Sequence, residues 1–209
     1  MDETVDRLAL HADFVRTARR ISRRFARAVD AAGPLAPPSR RRTPLPAYLA
    51  RVIVGQQLST TAARTIWGRL EAQARAAGRA LPAYAAEAPL EVLRNCGLSG
   101  NKVRALQALA AADAAGALAA PRLKVLSSAA RLDALLALHG IGPWTAQMAA
   151  LFWFREPDIW PVGDVSVRKT FGAYVVEQSR WSFDEAAALF APRRSFLARY
   201  LWQIADATP

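Results

Sequence analysis

One aspartate stands out as a side chain that could act directly on a bound molecule. Asp164 lies in the short stretch Trp160-Pro161-Val162-Gly163-Asp164-Val165. A carboxylate can stabilise the positive charge that develops on a sugar during cleavage of a glycosidic bond, or orient the attacking water. Aspartate is also a common residue at the start of a helix, where it caps the backbone. The residue types alone leave both roles open.

A glycine-rich turn is the second candidate for binding chemistry. It reads Leu138-His139-Gly140-Ile141-Gly142-Pro143-Trp144-Thr145. Its two glycines permit a tight reversal, because glycine accepts backbone angles that a β-carbon forbids, and proline suits the first position of a helix. We predict two helices, over 129–138 and 144–155, joined by a hairpin whose free amides can hold a phosphate. An ordinary turn between two helices is the alternative.

The composition indicates a globular protein with a polyanionic partner. The chain has 209 residues, 53% of them hydrophobic, and a formal net charge of +11 at pH 7. A folded domain this basic commonly binds nucleic acid. The length is sufficient for one sizeable core or for two small lobes.

Cysteine content and hydropathy argue against several classes of protein. Cys96 is the single cysteine, which excludes an intramolecular disulfide, a cysteine-based zinc site and a four-cysteine iron–sulfur cluster. No apolar run reaches the ~18 residues of a membrane span, and no apolar signal core follows the acidic start. We therefore expect a monomeric, cytoplasmic, nucleoid-associated protein without metal, cofactor or membrane partner.

The N-terminal segment predicts one amphipathic helix over residues 4–32. One face of that helix collects six arginines: Arg16, Arg19, Arg20, Arg23, Arg24 and Arg27. Like charges on one face repel one another, so this surface favours either an anionic partner such as DNA or acidic neighbours within the fold. Proline-rich residues 34–46 follow as a basic linker.

Helical periodicity continues through the rest of the chain, and no segment alternates with period two, so we predict an all-α fold. The predicted helices cover residues 48–55, 60–77, 89–95, 103–115, 165–174, 183–192 and 196–205. Gln56 and Gln57 lie between the first two of these helices, and their amide groups need hydrogen-bond partners in the protein or water. Lys102 precedes a helix, where an acid would be more favourable, and is therefore a candidate phosphate contact.

Taken in order, these stretches resemble the helix-hairpin-helix/Gly-Pro-Asp superfamily of DNA glycosylases. The resemblance is carried by Gly140-Ile141-Gly142-Pro143-Trp144-Thr145-Ala146, Pro161-Val162-Gly163-Asp164, Val54-Gly55-Gln56-Gln57-Leu58-Ser59 and Arg194-Ser195-Phe196. It covers roughly residues 45–205. Within the superfamily the sequence is most similar to the 3-methyladenine DNA glycosylase II type, without the N-terminal β-domain of that type.

The resemblance implies a two-lobed helical fold with a DNA-binding cleft between the lobes. We expect residues 1–209 to form one compact bilobal unit. One lobe would combine about 1–44 with 164–209. The other would span about 45–163 and contain the helix-hairpin-helix at 129–155.

The resemblance also implies roles for individual residues. Asp164 matches the catalytic aspartate, Gln57 the side chain that fills the gap left by an extruded nucleotide, and Trp144 an aromatic wall of the base pocket. Further matches and candidates are Gly140, Gly142 and Thr145 for amides that hold a phosphate, Met148 and Trp160 for the pocket, and Lys102 and Arg194 for DNA contacts.

One matched position bears on the type of reaction. Bifunctional relatives, which form a Schiff base and nick the strand, carry lysine where this chain has Trp144. The resemblance therefore implies a monofunctional enzyme of base excision repair. It would flip an alkylated purine, of the 3-methyladenine or 7-methylguanine type, out of double-stranded DNA and leave an abasic site.

Departures from the family pattern keep the base preference open. The bacterial member used for comparison has aromatic residues at the positions of Met148, Val165 and Arg193. Two alternatives therefore remain. The same scaffold could act on another damaged base, such as hypoxanthine or ethenoadenine, or the chain could be a non-catalytic DNA-binding module.

Overall fold

The computed structural model describes residues 6–39, 42–175 and 180–207, and these contain α-helices and no β-strand. The helices are α1 Arg7–Ile21, α2 Arg23–Ala32, α3 Leu45–Gly55, α4 Thr60–Ala76, α5 Ala83–Glu87, α6 Leu90–Asn95, α7 Gly100–Ala114, α8 Ala120–Lys124, α9 Ser128–Leu136, α10 Pro143–Phe152, α11 Val165–Val175, α12 Phe183–Ala188 and α13 Arg194–Ala207. The all-α prediction is confirmed. Among these helices, none is both long enough and apolar enough to cross a membrane.

Local side-chain caps explain where several helices begin. Ser59 Oγ accepts a hydrogen bond from the amide of Ala62 at 3.2 Å and so caps α4. Ser99 and Ser127 cap α7 and α9 in the same way. Ser182 and Glu185 form a capping box at α12. Because each cap spans three residues, it can be recognised in the sequence without knowledge of the fold.

The predicted single helix over residues 4–32 is wrong, because the chain breaks at Ser22. This residue has an extended backbone, and its Oγ accepts a hydrogen bond from the amide of Phe25, which starts α2 as a separate helix. The six arginines therefore do not share one helical face. Residues 4 and 5 of the prediction, and residues 40 and 41 of the linker, lie outside the described residues.

Contacts divide the chain into two units, Met1–Ser39 with Arg155–Pro209, and Arg40–Phe154. We call them the first and the second unit. The predicted lobes, about 1–44 with 164–209 and about 45–163, stay a prediction, and in the structure residues 155–163 are grouped with the first unit. The physical reason is a set of bonds to the start of α13, where the amide of Ile159 donates to Ser195 Oγ at 2.9 Å. The hairpin's second helix likewise ends at Phe152 and not at residue 155.

Each unit has an apolar core of its own. In the first unit an aromatic cluster dominates, with the Phe25 ring 5.6 Å from Phe171 and the Phe14 ring 5.2 Å from Tyr200. In the second unit, fully buried aliphatic residues of α3 and α7 such as Ile53 and Leu106 form the centre. Full burial of such a side chain contributes about 1.5–3 kcal/mol, so these cores hold the helices that carry the candidate site.

Candidate functional site

The hairpin between α9 and α10 contains the residues whose amides are predicted to hold a phosphate. Gly140 has a φ of +82°, which favours glycine, and Gly142 precedes Pro143, the first residue of α10. Within the described residues, the amides of Gly140, Gly142 and Thr145 bond to no other group of the chain. Three unpaired amides at the positive end of a helix are a favourable environment for a phosphate.

Close packing explains why position 140 must be a glycine. A β-carbon built there would lie 2.2 Å from Ala105 Cβ and 3.2 Å from Ala105 Cα. The hairpin is therefore pressed against α7, a helix far away in the sequence. At Gly142 a β-carbon would meet no atom within 4 Å, so only the first glycine is demanded by packing.

Gln56 ties the loop after α3 to this hairpin. Its Nε2 donates to the carbonyl oxygen of Gly140 at 3.2 Å and to Thr145 Oγ1 at 2.9 Å. Thr145 is buried, with 2% of its surface exposed. The prediction that these glutamines need partners is thus confirmed for Gln56, whose amide group fixes the orientation of the hairpin.

The neighbouring Gln57 has a different environment. It is exposed, and its φ of +56° lies in the left-handed region, which is uncommon for residues other than glycine. The chain therefore reverses sharply here while the Gln56 side chain is held by the hairpin. The role of Gln57 in filling a gap in DNA stays a prediction.

Lys102 has an internal role that the sequence did not indicate. Its Nζ donates to the carbonyl oxygens of Val54 at 2.7 Å and Gln56 at 2.9 Å. Partial burial lowers the pKa of this ammonium below its usual value. A cation is favourable at the C-terminal end of a helix such as α3. The predicted phosphate contact stays a prediction, with two of the three N–H donors already used.

The two pocket candidates on α10 differ in exposure. Trp144 is 37% exposed, whereas Met148, one turn later, is only 5% exposed. The carbonyl oxygen of Met148 accepts a hydrogen bond from the Tyr48 hydroxyl at 3.1 Å, which joins α10 to α3. The Trp144 indole in the first turn of α10 is therefore partly exposed, while Met148 packs within the protein. Their predicted roles in the base pocket stay predictions.

In the first unit, Asp164 stands at the start of α11 and caps it. Its Oδ1 accepts a hydrogen bond from the amide of Val167 at 2.9 Å, and a second one from Trp202 Nε1 at 3.1 Å. The residue is half-buried. The capping role that the sequence left open is therefore present, and the carboxylate is also held by an indole from α13.

Trp160 packs within the first unit. Its ring centroid lies 5.5 Å from that of Phe171 in an edge-to-face arrangement and 5.8 Å from that of Phe183. These contacts are sufficient to explain an aromatic side chain at this position. Its predicted part in the base pocket stays a prediction.

Arg194 is engaged with a carboxylate of its own unit. Its Nε and Nη2 donate to Asp158 Oδ1 and Oδ2 at 2.8 and 2.7 Å, and its backbone amide donates to Asp158 Oδ1 at 3.0 Å. The hydrogen bond from Arg194 lowers the pKa of the Asp158 carboxyl. This pair joins the segment before α11 to the start of α13. The predicted DNA contact of Arg194 stays a prediction.

The N-terminal arginines are exposed, and some have neighbours within the first unit. Asp13 pairs with Arg16 at 3.0 Å and with Arg193 at 3.7 Å, and the Arg24 guanidinium lies over the Tyr174 ring. These contacts reduce the repulsion within the run. Among the described residues, no group of three His, Cys, Asp or Glu side chains could hold a metal ion.

Comparison with known proteins connects this arrangement to a family. The sequence pattern of the HhH-GPD superfamily of base excision DNA repair proteins matches residues 50–182, which include the hairpin, Gln57 and Asp164. This chain is a member of the HhH-GPD superfamily. The all-α prediction and the resemblance stated from the sequence are thereby confirmed together.

Individual members of the HhH-GPD superfamily are similar over most of the chain. DNA-3-methyladenine glycosylase 1 of Schizosaccharomyces pombe is 27% identical over 167 residues, which cover 74% of this chain and 70% of the relative. A DNA-3-methyladenine glycosidase structure from Bacillus halodurans has a TM-score of 0.73 at 27% identity, covering 92% of this chain and 88% of that one. The structure of the S. pombe enzyme Mag1 in complex with abasic DNA has a TM-score of 0.78 at 24% identity, covering 91% and 95%.

Sequence reasoning missed the contacts that two residues, Trp202 and Gln56, make with the candidate site residues. Trp202 lies in a largely buried apolar helix, where tryptophan is usually a packing residue, and nothing nearby in the sequence points to Asp164. From the sequence, Gln56 was named only together with Gln57, as two polar residues that need hydrogen-bond partners. Its polarity between two apolar helices was the available signal, but its partners lie 84 and 89 residues away.

Proposed function

We propose that this chain is a monofunctional DNA glycosylase that hydrolyses the bond between an alkylated purine and its sugar in double-stranded DNA. Family membership supports the glycosylase class. The relatives named as 3-methyladenine glycosylases support the substrate class. The observation that carries the proposal is the Asp164 carboxylate at the start of α11, which accepts hydrogen bonds from the Val167 amide and the Trp202 indole. In this proposal Asp164 is the catalytic aspartate that the family resemblance implies.

Release of an alkylated purine requires a carboxylate that stabilises positive charge on the sugar more than it requires an acid that protonates the base. A purine alkylated at N3 or N7 carries a positive charge, so it leaves with the electron pair of the C1′–N bond and becomes neutral without being protonated. The positive charge is transferred to the sugar. In this proposal the Asp164 carboxylate stabilises that charge, the oxygen of a water molecule bonds to C1′, and one proton of that water is released to solvent.

The exposed Trp144 indole is proposed as the surface on which the extruded base stacks. An electron-poor cationic base is attracted to an indole face by about 0.5–2 kcal/mol. Extrusion of a nucleotide costs a few kcal/mol, and less where damage has weakened base pairing. The amides of Gly140, Gly142 and Thr145 would hold a phosphate near the lesion, and Gln57 would occupy the space that the base leaves.

Residue 144 also underlies the proposed absence of strand cleavage. A Schiff base requires an amine that attacks C1′, and tryptophan has none. We therefore expect an abasic site and no nicked strand. Treatment of the reaction with borohydride should trap no covalent complex between protein and DNA, whereas a trapped complex would contradict the monofunctional assignment.

The decisive experiment measures base release from a panel of duplex oligonucleotides. The panel contains 3-methyladenine or a stable analogue, 7-methylguanine, hypoxanthine, ethenoadenine and undamaged purines. We expect release of the methylated purines, and we expect Asp164→Asn to slow release about 10²- to 10³-fold while leaving affinity for abasic-site DNA intact. Asp206→Asn, on an exposed carboxylate of α13, is the matched control and should have no effect.

The other outcomes of this panel separate the alternatives. Release of hypoxanthine or ethenoadenine alone would contradict the substrate class and retain the enzyme class. Binding to abasic-site DNA without release of any base would contradict catalysis and favour a DNA-binding module. Wild-type release by Asp164→Asn would contradict the role of this carboxylate.

A further inference from the structure

We infer that Trp202 is a positioning residue, which holds the Asp164 carboxylate in its working orientation through the indole N–H. The inference rests on the proposed function, because it concerns the same site. It goes beyond that proposal in assigning a role to a side chain of α13, the last helix. The observation that carries it is the 3.1 Å hydrogen bond from Trp202 Nε1 to Asp164 Oδ1.

Two donors from different helices converge on one oxygen of this carboxylate. The Val167 amide belongs to α11, the helix that Asp164 itself caps. The terminal torsion of an aspartate, χ2, is broad and roughly two-fold. The hydrogen bond from the Val167 amide therefore does not by itself set the plane of the Asp164 carboxylate. The indole comes from α13, 38 residues away. The Trp202 N–H, a second donor from a separate helix, restricts rotation of the Asp164 carboxylate about this torsion.

The chemistry of tryptophan makes this a positioning role. An indole is a hydrogen-bond donor only, so it cannot take a proton from Asp164 or give one up during the reaction. A carboxylate that stabilises a developing sugar cation must already be oriented when the charge appears. Trp202 therefore affects the rate through the geometry of Asp164 and not through contact with the DNA phosphates.

A matched pair of variants tests the effect on the reaction. Trp202→Phe removes the N–H and keeps an aromatic ring. Trp153→Phe is the control, because Trp153 Nε1 also donates a single hydrogen bond, at 3.0 Å to the Thr43 carbonyl oxygen in the second unit. We expect Trp202→Phe to lower the single-turnover rate of base release about tenfold to hundredfold, the range of a hydrogen bond to a charged group. Affinity for abasic-site DNA should not change in either variant.

A spectroscopic measurement tests the contact itself without relying on activity. The Trp202 indole N–H signal in a ¹⁵N–¹H spectrum can be assigned by its loss in Trp202→Phe. In a second variant, Asp164→Ala, which keeps every tryptophan, this signal should move and lose its protection from solvent exchange. The Trp153 signal should stay in place. If Trp202→Phe does not fold, the signal is assigned on the folded wild-type chain by triple-resonance spectra, and Asp164→Ala then decides.

The outcomes distinguish this inference from the proposed function. If the wild-type chain releases no damaged base, the proposed function fails, and the indole signal still decides whether Trp202 holds Asp164. If the wild type is active but Trp202→Phe releases base at the wild-type rate, the inference is overturned and the function stands. An equal loss of rate in Trp153→Phe, or a Trp202 signal indifferent to Asp164→Ala, would also overturn it.

Discussion

Replacing Gly140 with alanine should destabilise the second unit and displace the hairpin. The new β-carbon would lie 2.2 Å from Ala105 Cβ, in a backbone conformation with φ at +82°. The left-handed conformation costs an alanine about 1–2 kcal/mol, and overpacking of a close contact costs about 1–3 kcal/mol. Together these give a loss of about 2–5 kcal/mol in the free energy of unfolding.

Urea and thermal denaturation measure this loss. For a chain of this length, 1 kcal/mol corresponds to a fall of about 2–4 °C in Tm, so we expect Tm to drop by about 4–20 °C. Gly142→Ala is the matched control two residues away. At Gly142 the φ is −88° and a β-carbon meets nothing within 4 Å, so its stability should stay within about 0.5 kcal/mol of the wild type.

A double variant separates the contact from the backbone conformation. Ala105→Gly removes the methyl group that Gly140→Ala would strike, at a cost of about 1 kcal/mol for glycine within a helix. The double variant should be more stable than the sum of the two single effects by about 1–3 kcal/mol. Additive effects, or equal stability of Gly140→Ala and Gly142→Ala, would refute the argument that packing against α7 selects this glycine.

Two further predictions follow from the internal hydrogen bonds. Gln56→Ala removes the donor to Gly140 and Thr145, and at about 1 kcal/mol for each bond it should lower the free energy of unfolding and weaken binding to abasic-site DNA. Gln57→Ala should leave stability unchanged, and equal losses in both variants would contradict the assignment. Asp158→Asn should make the free energy of unfolding depend less steeply on pH in acid. The Arg194 hydrogen bond lowers the pKa of Asp158 in the folded state. The stability that Asp158 contributes is therefore present above the ordinary pKa of an aspartate and disappears as pH falls through the lowered value. Urea denaturation at a series of pH values, from neutral into that range, measures the slope of the free energy of unfolding against pH. A slope unchanged by Asp158→Asn would contradict this reasoning.

The sequence predicted well those features whose hydrogen bonds span a few residues. The helix starts predicted at residues 60 and 183 agree with the structure, where Ser59 and Ser182 each cap the helix through an amide three residues later. Such a bond forms as soon as the local turn forms, so its signature stays contiguous in the chain. The glycine hairpin followed by Pro143 was visible for the same reason. Ser22 has the same kind of cap, but the helical spacing of apolar residues continues through it and concealed the break.

Side chains that meet across long separations could not be assigned from the sequence. Trp202 reaches Asp164 over 38 residues, and Lys102 reaches the carbonyl of Val54 over 48. Neither partner alters the local pattern of the other. A tryptophan in an apolar helix therefore indicated only packing, and a lysine at a helix start indicated only a candidate phosphate contact.

The sequence by itself determined that the chain is basic, and it predicted a helical fold and a glycine hairpin between two helices. The family resemblance added an expected catalytic role for Asp164. The tertiary structure decided which of those groups are held and by what. It placed Gly140 against Ala105, gave Gln56 the hairpin as its partner, and brought an indole from α13 to Asp164. The physical reason is that periodicity and caps depend on neighbours within one turn, whereas hydrogen-bond partners and close contacts depend on which helices pack together.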